Sequence, residues 1–258
     1  MEQIKIIFFD IDGTLIDHAT GKISAKTHEA LRRLRKKGVL LCIATGRAPA
    51  AFPDFGDAQF HAFCAFNGSL CFTENRIIHS DPIPRDSVKK VLENATAIGR
   101  PISVATRDGL SANGWDQDLS DYYALSKLKL TASADFDAAC CKNVYQIMLG
   151  CRESDHPAIL KGTNDVKIAV SWERAVDVIP ASSGKGVSVA KVLEHFGLVP
   201  SQALAFGDSY NDLEMLQAVG TGVAMGNAPD TLKAVANDVC KTVSEDGIYD
   251  YCIHHGLI

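Results

Sequence analysis

The sequence has no long apolar run. None of its stretches approaches the 18 or so consecutive apolar residues that a membrane span needs. The N-terminal segment also lacks the composition of a signal peptide, because Glu2 and Lys5 lie beside only a short apolar run that ends in an aspartate. These absences predict a cytoplasmic protein that does not associate with membranes.

An excess of positive charge is also missing. The chain carries 26 basic and 31 acidic residues, for a formal net charge of −5. Its densest basic run lies at residues 32–37 within a predicted helix, where a solvated helical face explains it. Since nucleic-acid binding usually needs a basic surface, we expect no nucleic-acid partner. The oligomeric state cannot be read from the sequence.

The eight cysteines contain no Cys-x-x-Cys pair and have irregular spacings. Several of them, such as Cys42, lie inside apolar runs, which is typical of small buried side chains. We therefore expect neither a disulfide framework nor a zinc site. The segment around Lys185 is not a nucleotide-binding P-loop either, because the distal glycine and the following Ser or Thr are missing.

Both ends of the chain alternate short apolar runs with amphipathic helical patterns. The N-terminal part predicts strands at 4–9 and 39–44 around a helix that starts after Ser24 and ends before Gly38. The C-terminal part predicts helices at 187–196 and 212–219 and strands at 203–206 and 221–225. Strand–helix alternation predicts a doubly wound, Rossmann-like parallel sheet in an α/β protein.

The middle of the chain has a different pattern. Proline-containing joints at 81–84 and 179–184 frame a predicted helix at about 86–98 and extended pieces at 102–106, 144–149, 167–172 and 175–179. We interpret residues 81–182, called the inserted segment below, as an α+β domain. The sheet domain is then discontinuous and consists of residues 1–80 and 183–258.

Four polar clusters follow predicted strands or begin a predicted helix. They are Asp10–Leu15, Thr45–Arg47, Lys185 and Gly207–Asp212. Ligands of open parallel sheets bind beyond the carboxyl ends of the strands, so the four clusters should meet at one edge. Each cluster alone has a simpler explanation, such as a turn or a solvated lysine. The first resembles part of a calcium loop but lacks the distal glutamate.

Together the clusters offer the groups that phosphoryl transfer needs. Asp10, Asp12 and Asp208 supply hard oxygens that suit Mg²⁺. Lys185 supplies a positive charge near a helix N-terminus, where phosphate is favoured. A carboxylate can attack phosphorus to form an aspartyl-phosphate, and a second aspartate two residues later can serve as general acid and base.

The motif Asp10–Leu15 after an apolar strand resembles the first motif of the haloacid dehalogenase-like hydrolases. Thr45, Lys185 and Gly207–Asp212 resemble the second, third and fourth motifs. The size and position of the inserted segment resemble the type II cap of the Cof-type subfamily, and so do the segments Asn67-Gly68, Met225–Ala228 and Glu245–Ile248.

The resemblance implies a role for each matching residue. Asp10 would be the nucleophile and a metal ligand. Asp12 would be the general acid and base, and its backbone carbonyl would bind Mg²⁺. Asp208 would be the third protein ligand. Asp212 would orient the metal site or Lys185. The substrate phosphate would be held by Ile11 through its amide, Thr45, Gly46, Lys185 and Asn211.

These roles predict a Mg²⁺-dependent phosphatase for small phosphorylated metabolites, with sugar phosphates as the expected class. A phosphomutase on the same scaffold and a non-catalytic regulator remain alternatives. An aspartate at position 12 favours both enzymes over a dehalogenase. Aromatic residues of the inserted segment, such as Tyr122 and Trp172, can either line the pocket or fill the core of that segment.

Overall fold

The computed structural model describes residues 3–258. The strands are β1 Ile6–Phe9, β2 Leu40–Ala44, β3 Ala62–Ala65, β4 Leu70–Thr73, β5 Arg76–Ser80, β6 Ile102–Thr106, β7 Gly109–Ala112, β8 Gln146–Gly150, β9 Val166–Trp172, β10 Ala175–Pro180, β11 Ala203–Gly207, β12 Thr221–Ala224 and β13 Asp238–Val239. The α-helices are α1 Ala25–Lys36, α2 Arg85–Ala97, α3 Gln117–Leu125, α4 Phe136–Cys140, α5 His156–Ile159, α6 Lys185–Phe196, α7 Leu213–Gln217, α8 Asp230–Lys233 and α9 Gly247–His254. No helix within these residues has the length and apolar character to cross a bilayer.

An eight-stranded sheet forms the larger part of the molecule, in the order β13-β12-β11-β1-β2-β3-β4-β5. The strands from β13 to β3 pair in parallel. The central strand β1 lies between β11 and β2, with Ile6 opposite both Ala203 and Leu40. Every residue of β1 is buried, as the sequence pattern predicts for a strand covered on both faces.

The sheet is covered by helices on its two faces. Ile6 and Phe8 belong to one hydrophobic cluster, which includes residues of α6 and α7. Ile7 and Phe9 belong to a second cluster, which includes residues of α1 and α9. Alternate side chains of one strand therefore enter different cores. This arrangement confirms the predicted doubly wound α/β fold.

Helix ends follow the local sequence signals. The Ser24 side chain accepts a hydrogen bond from the Thr27 amide, which caps α1 as predicted. Helix α6 ends at Gly197, whose φ of +66° suits a left-handed cap. It begins at Lys185, two residues before the predicted start, so that Lys185 occupies the first helical turn.

One edge of the sheet differs from the prediction, because β4 and β5 pair antiparallel to β3 and to each other. A tight turn at Phe66–Gly68 reverses the chain between β3 and β4. Its three residues all have positive φ, with values of +53°, +52° and +93°. The strands of this edge are four or five residues long. Such short runs give little periodicity to read.

The second sheet lies within the inserted segment and has five strands in the order β7-β6-β8-β10-β9, all antiparallel. Helices α2, α4 and α5 contribute to its hydrophobic core. The chain enters this segment after β5 and leaves it after β10. Where the two crossings meet, the Asp81 carboxylate accepts hydrogen bonds of 2.7 Å from Ser182 and Ser183. The division into two domains at these crossings stays a prediction.

Candidate active site

The end of β1 carries the turn that presents Asp10 and Asp12. The carbonyl of Ile11 accepts hydrogen bonds from the Leu15 and Ile16 amides and so fixes the turn. Gly13 has a φ of +80°, and a Cβ there would lie 2.1 Å from Asp208 Oδ2. Only glycine combines this backbone conformation with so close an approach, so the turn and the β11 loop depend on this residue.

Lys185 joins two of the acidic residues. Its Nζ donates hydrogen bonds of 2.6 Å to Asp10 Oδ1 and to Asp212 Oδ1. All three side chains are buried. Burial alone would lower the pKa of Lys185, but the two carboxylates outweigh it and raise the pKa. The lysine therefore stays charged next to the predicted nucleophile.

The loop after β11 places Asp208 beside this pair. Asp212 Oδ2 accepts hydrogen bonds of 2.9 Å from the amides of Asp208 and Ser209, which holds the loop closed. Thr14 donates to Asp208 Oδ1 over 2.7 Å. Asp10, Asp208 and Asp212 each offer a carboxylate oxygen, and these three oxygens lie within 4.8 Å of one another.

The acidic triad has the electrostatics of a cation site. Burial raises the pKa of Asp10 to about 7, with Asp212 adding to the effect and Lys185 opposing it. Burial raises the pKa of Asp208 as well, and the nearby Asp10 adds to it. Packing of like charges away from water is unfavourable unless a cation balances them. Hard, buried oxygens suit Mg²⁺, so the donor set fits this ion.

Asp12 lies apart from the triad. Its carboxylate forms a two-pronged ion pair with Arg47, in which Nε donates over 2.7 Å and Nη2 over 2.6 Å. Arg47 also donates to the Ala51 carbonyl. The sequence-based set of metal ligands contained Asp12 through its backbone carbonyl, whereas the carboxylate groups that the structure brings together are those of Asp10, Asp208 and Asp212.

Three of the predicted phosphate-binding residues, Thr45, Gly46 and Asn211, lie in the loops that follow β2 and β11. Thr45 is buried, and its Oγ1 accepts a hydrogen bond from the Arg47 amide. The Asn211 Nδ2 group donates over 2.8 Å to Oδ1 of Asn67. A Cβ on Gly46 would meet both side-chain ends of Asn67 at 3.1 and 3.2 Å. Gly46 therefore leaves room for the Asn67 amide.

Asn67 connects this region to the inserted segment. Its Nδ2 donates to Asp177 Oδ2 over 2.8 Å and to Gln146 Oε1 over 3.2 Å. Tyr122 donates to Asp177 Oδ1 over 3.0 Å. Burial raises the pKa of Asp177 to about 7, although Asn67 and Tyr122 stabilise the charged form. A buried polar chain thus runs from Asn211 to the second sheet.

A cavity of about 220 Å³ opens above these residues. Its floor includes Asp10, Asp12, Thr45, Gly46 and Asn211, and its remaining walls come largely from the inserted segment. Lys185, Asp208 and Asp212 do not line the cavity but lie buried beside Asp10. The structure thus brings all the predicted site residues to one edge of the larger sheet, with Ile11 inside the turn.

Several contact residues were absent from the predicted site. Arg47 and Asn67 carried a signal, because they stand in the Thr-Gly-Arg and Asn-Gly segments that follow the second strand. Thr14 belongs to the first motif but had no assigned role. Asn227, which donates to the Gly13 carbonyl over 2.9 Å, stands in the segment Met225–Ala228 that resembles the Cof-type subfamily, but it had no assigned role.

Comparison with known proteins agrees with this geometry. The sequence profile of the haloacid dehalogenase-like hydrolases matches residues 7–252. The chain belongs to this family. The protein YkrA of Bacillus subtilis (strain 168) is 34% identical over 248 residues, which cover 95% of each chain. The resemblance stated from the motifs is thereby confirmed.

Two further relatives are named for different substrates. The pyridoxal phosphate phosphatase YbhA of Escherichia coli (strain K12) is 28% identical over 276 residues, covering 97% of this chain and 98% of YbhA. The solved structure of the HAD subclass IIB sugar phosphatase BT4131 superposes with a TM-score of 0.90 at 29% identity, covering 98% of this chain and 100% of that one. Our chain is accordingly a phosphatase of this family, and these names do not agree on one leaving group.

Proposed function

We propose that the protein is a Mg²⁺-dependent phosphatase that hydrolyses small phosphate monoesters through a phosphoryl group carried on Asp10. The buried contact of 2.6 Å between Lys185 and Asp10 supports this proposal most directly. It places a permanent positive charge against a carboxylate that also lines the substrate cavity. Such a pair suits attack on an anionic phosphate, because the lysine offsets the repulsion between two negative groups.

In the first step, a carboxylate oxygen of Asp10 forms a bond to phosphorus while the bond to the leaving oxygen breaks. Asp12 gives a proton to that oxygen, which leaves as an alcohol. In the second step, water attacks the phosphorus and gives a proton to Asp12. The bond between phosphorus and Asp10 then breaks and releases inorganic phosphate.

The other predicted residues would hold the phosphate during both steps. Thr45 and Asn211 lie on the floor of the cavity and supply hydroxyl and amide donors. Lys185 supplies the charge from the start of α6, where a helix N-terminus adds to the attraction for anions. Positioning and charge neutralisation of this kind account for most of the catalysis in phosphoryl transfer.

Mg²⁺ would be held by Asp10, Asp208 and the Asp12 carbonyl, with Asp212 orienting Asp208 and Lys185. Its positive charge would neutralise the phosphate oxygens and keep Asp10 ionised despite its burial. We expect the residues of the inserted segment to act as a cap that closes the cavity and excludes large substrates. The cell compartment expected for such metabolites is the cytoplasm.

The alternatives receive less support from the cavity. A phosphomutase that uses a bisphosphate needs cations for a second phosphate. Among the described residues that line the cavity, the basic ones are Arg47 and His18, and Arg47 is already paired with Asp12. A non-catalytic regulator would not need an acid beside the nucleophile, yet Asp10 and Asp12 both face the cavity.

The substitution Asp10→Asn tests the proposal. The amide keeps the shape of the side chain and a hydrogen bond to Lys185 but cannot form the acyl phosphate. We expect phosphate release from p-nitrophenyl phosphate to fall at least about a thousandfold, with thermal unfolding close to that of the unchanged protein. A steady rate within tenfold of the original would rule out covalent catalysis by Asp10.

A further inference from the structure

The walls of the cavity beyond the phosphate-binding floor consist largely of apolar and aromatic side chains. Their side chains include Ala48 and Ala51 from the larger sheet domain and Ala105, Leu110, Leu128 and Met148 from the inserted segment. All six belong to one hydrophobic cluster that joins the two parts of the molecule, or pack against it. The leaving group of a bound ester would therefore lie against apolar surface.

The buried polar side chains of these walls have hydrogen-bond partners within the protein. Tyr122 donates to Asp177, and its oxygen lies 2.9 Å from Ser171 Oγ. Tyr123 shares a hydrogen bond with Ser103. Gln146 accepts from Asn67 through Oε1. The polar side chains of His18, Ser126 and Ser209 also line the cavity but are not buried. Few buried donors and acceptors are therefore left for a ligand with many hydroxyl groups.

One buried amide donor remains in these walls. Gln146 is 2% exposed, and its Nε2 group has no hydrogen-bond partner among residues 3–258. The same amide is fixed through its oxygen by Asn67, so its nitrogen has a defined position at the cavity wall. Nearby, the rings of Tyr122 and Trp172 stack at 6.1 Å with an angle of 7° between their planes. The Arg174 guanidinium also lies over the Trp172 ring, 4.8 Å from its centroid. Both rings line the cavity, so the site offers aromatic and alkyl carbons together with a buried amide donor.

We propose that the preferred leaving group is a flat aromatic or heteroaromatic ring with few hydroxyl groups, and that Gln146 donates to an acceptor atom on that ring. This inference rests on the proposed phosphatase function and revises the sequence-based expectation of sugar phosphates. A sugar would bury several hydroxyl groups against alkyl carbons, where they lose their bonds to water without replacement. A ring with few hydroxyl groups would lose little hydration and would gain contact with these aromatic and alkyl carbons.

The test compares four esters with the Mg²⁺-loaded protein: benzyl phosphate, 3-pyridylmethyl phosphate, glucose 6-phosphate and ribose 5-phosphate. All four release a primary alcohol, so their demand for a proton from Asp12 is similar. One added hydroxyl in an apolar pocket lowers kcat/KM by up to roughly a hundredfold. We therefore expect both ring esters to exceed both sugar phosphates by at least about a hundredfold.

Equal or higher kcat/KM for either sugar phosphate would overturn the inference while leaving the phosphatase function intact. Failure of the proposed function has a different signature, because none of the four esters would then release phosphate. The order of kcat/KM among the four esters is measured on the unchanged protein, so it tests the proposed leaving group even if a variant fails to fold.

Two substitutions and one matched control test whether these wall residues determine the substrate preference. Met148→Gln adds hydrogen-bonding groups at nearly constant volume, and we expect it to lower the ratio of benzyl phosphate to glucose 6-phosphate about tenfold. Met148→Leu, the matched control, should keep the order of the substrates. Gln146→Leu should lower kcat/KM for 3-pyridylmethyl phosphate about tenfold relative to benzyl phosphate. An equal loss of kcat/KM for both ring esters would show that Gln146 does not donate a hydrogen bond to the ring acceptor.

Discussion

Asn67 accepts a hydrogen bond of 2.8 Å from Asn211 and donates one of 2.8 Å to Asp177. One amide therefore contacts a predicted phosphate ligand of the larger sheet and a carboxyl group of the inserted segment. Its backbone is left-handed, with a φ of +52°. Asparagine tolerates this conformation better than most residues, so the backbone and the side chain favour the same residue here.

The substitution Asn67→Gly should weaken phosphate binding. Glycine keeps the left-handed backbone without strain and removes only the side chain, so that Asn211 loses the partner that orients it. We expect the inhibition constant of inorganic phosphate to rise roughly tenfold, the value of about one hydrogen bond to an oriented donor. Competition kinetics measure this constant.

A control separates this effect from general loosening. Asn113 also sits in a loop and accepts a hydrogen bond through its side chain, from the Ile102 amide, but it lies outside the cavity lining. Asn113→Gly should leave the inhibition constant of phosphate unchanged. If both variants shift it equally, Asn67 does not act through Asn211.

The substitution Asp12→Ala should separate the two chemical steps. A sugar or benzyl alkoxide needs a proton to leave, so turnover of such esters should be nearly lost. p-Nitrophenolate leaves without much help, so the first step should survive with p-nitrophenyl phosphate. The second step still lacks its base. We expect a burst of nitrophenol followed by a slow rate, with phosphate trapped on Asp10 in acid-quenched samples by mass spectrometry.

The Asp12→Ala experiment needs a control because the substitution also removes the ion pair with Arg47. Removal of Asp12 frees Arg47, so folding of the variant has to be confirmed by thermal unfolding and by its Mg²⁺ affinity. If the folded, metal-loaded variant slows both kinds of ester equally and no phosphoenzyme accumulates, Asp12 is not the acid and base.

Removal of divalent cations should stop turnover. The oxygens of Asp10, Asp208 and Asp212 lie within 4.8 Å of one another and would repel an anionic substrate. Excess chelator should lower the rate to about 1% or less, and added Mg²⁺ should restore it. Ca²⁺ should inhibit, because it prefers more ligands at longer distances. Full activity after chelation and desalting is the result that contradicts the metal assignment.

Asp177 should make the free energy of unfolding depend on pH. Its pKa is about 7 in the folded protein and 3.8 in its ordinary state. The unfolded chain therefore loses this proton first, and the stability that the raised pKa provides is lost as pH rises through about 7. Asp177→Asn removes this titration. The free energy of unfolding of the variant, taken relative to that of the unchanged protein, should rise by roughly 3 kcal/mol from pH 5 to pH 8.

Urea unfolding at several pH values measures this difference. Asp118→Asn is a control of opposite sign, because the Arg152 and Arg174 side chains hold the pKa of Asp118 down at about 2. Its removal should cost stability at neutral pH and little below about pH 2, because the stability that this carboxylate provides is lost as pH falls through its folded pKa. A difference between Asp177→Asn and the unchanged protein that stays constant from pH 5 to pH 8 would contradict the raised pKa.

Much of the architecture was predictable because it depends on local signals. Ser24 precedes an amphipathic run and caps α1, and Gly197 ends α6. The apolar run of β1 is followed by Asp10, so the position of the predicted nucleophile follows from the strand. Parallel strands bring their carboxyl ends to one edge, which explains why Lys185 reaches Asp10 across most of the chain.

The remaining features depend on contacts that no local pattern records. Arg47 stands in a weak three-residue motif, and its bond to Asp12 depends on the distance between the ends of β1 and β2. The polar chain through Asn67 needs the inserted segment to be in place. The antiparallel strands β4 and β5 are short, so their pairing follows from two turns. The turn at Phe66–Gly68 sets the pairing of β3 with β4, and a turn at Glu74 and Asn75 sets the pairing of β4 with β5.

The position of β1 in the middle of the larger sheet also fixes the order in which the chain can assemble. Its neighbour β11 follows all the strands of the smaller sheet in the chain, so that sheet can be complete before β11 is synthesised. Pairings between distant parts of a chain form slowly. During synthesis, the apolar strand Ile6–Phe9 therefore lacks its partner β11 for a time. A nascent chain halted before Ala203 would expose that unpaired edge of β1 to chaperones.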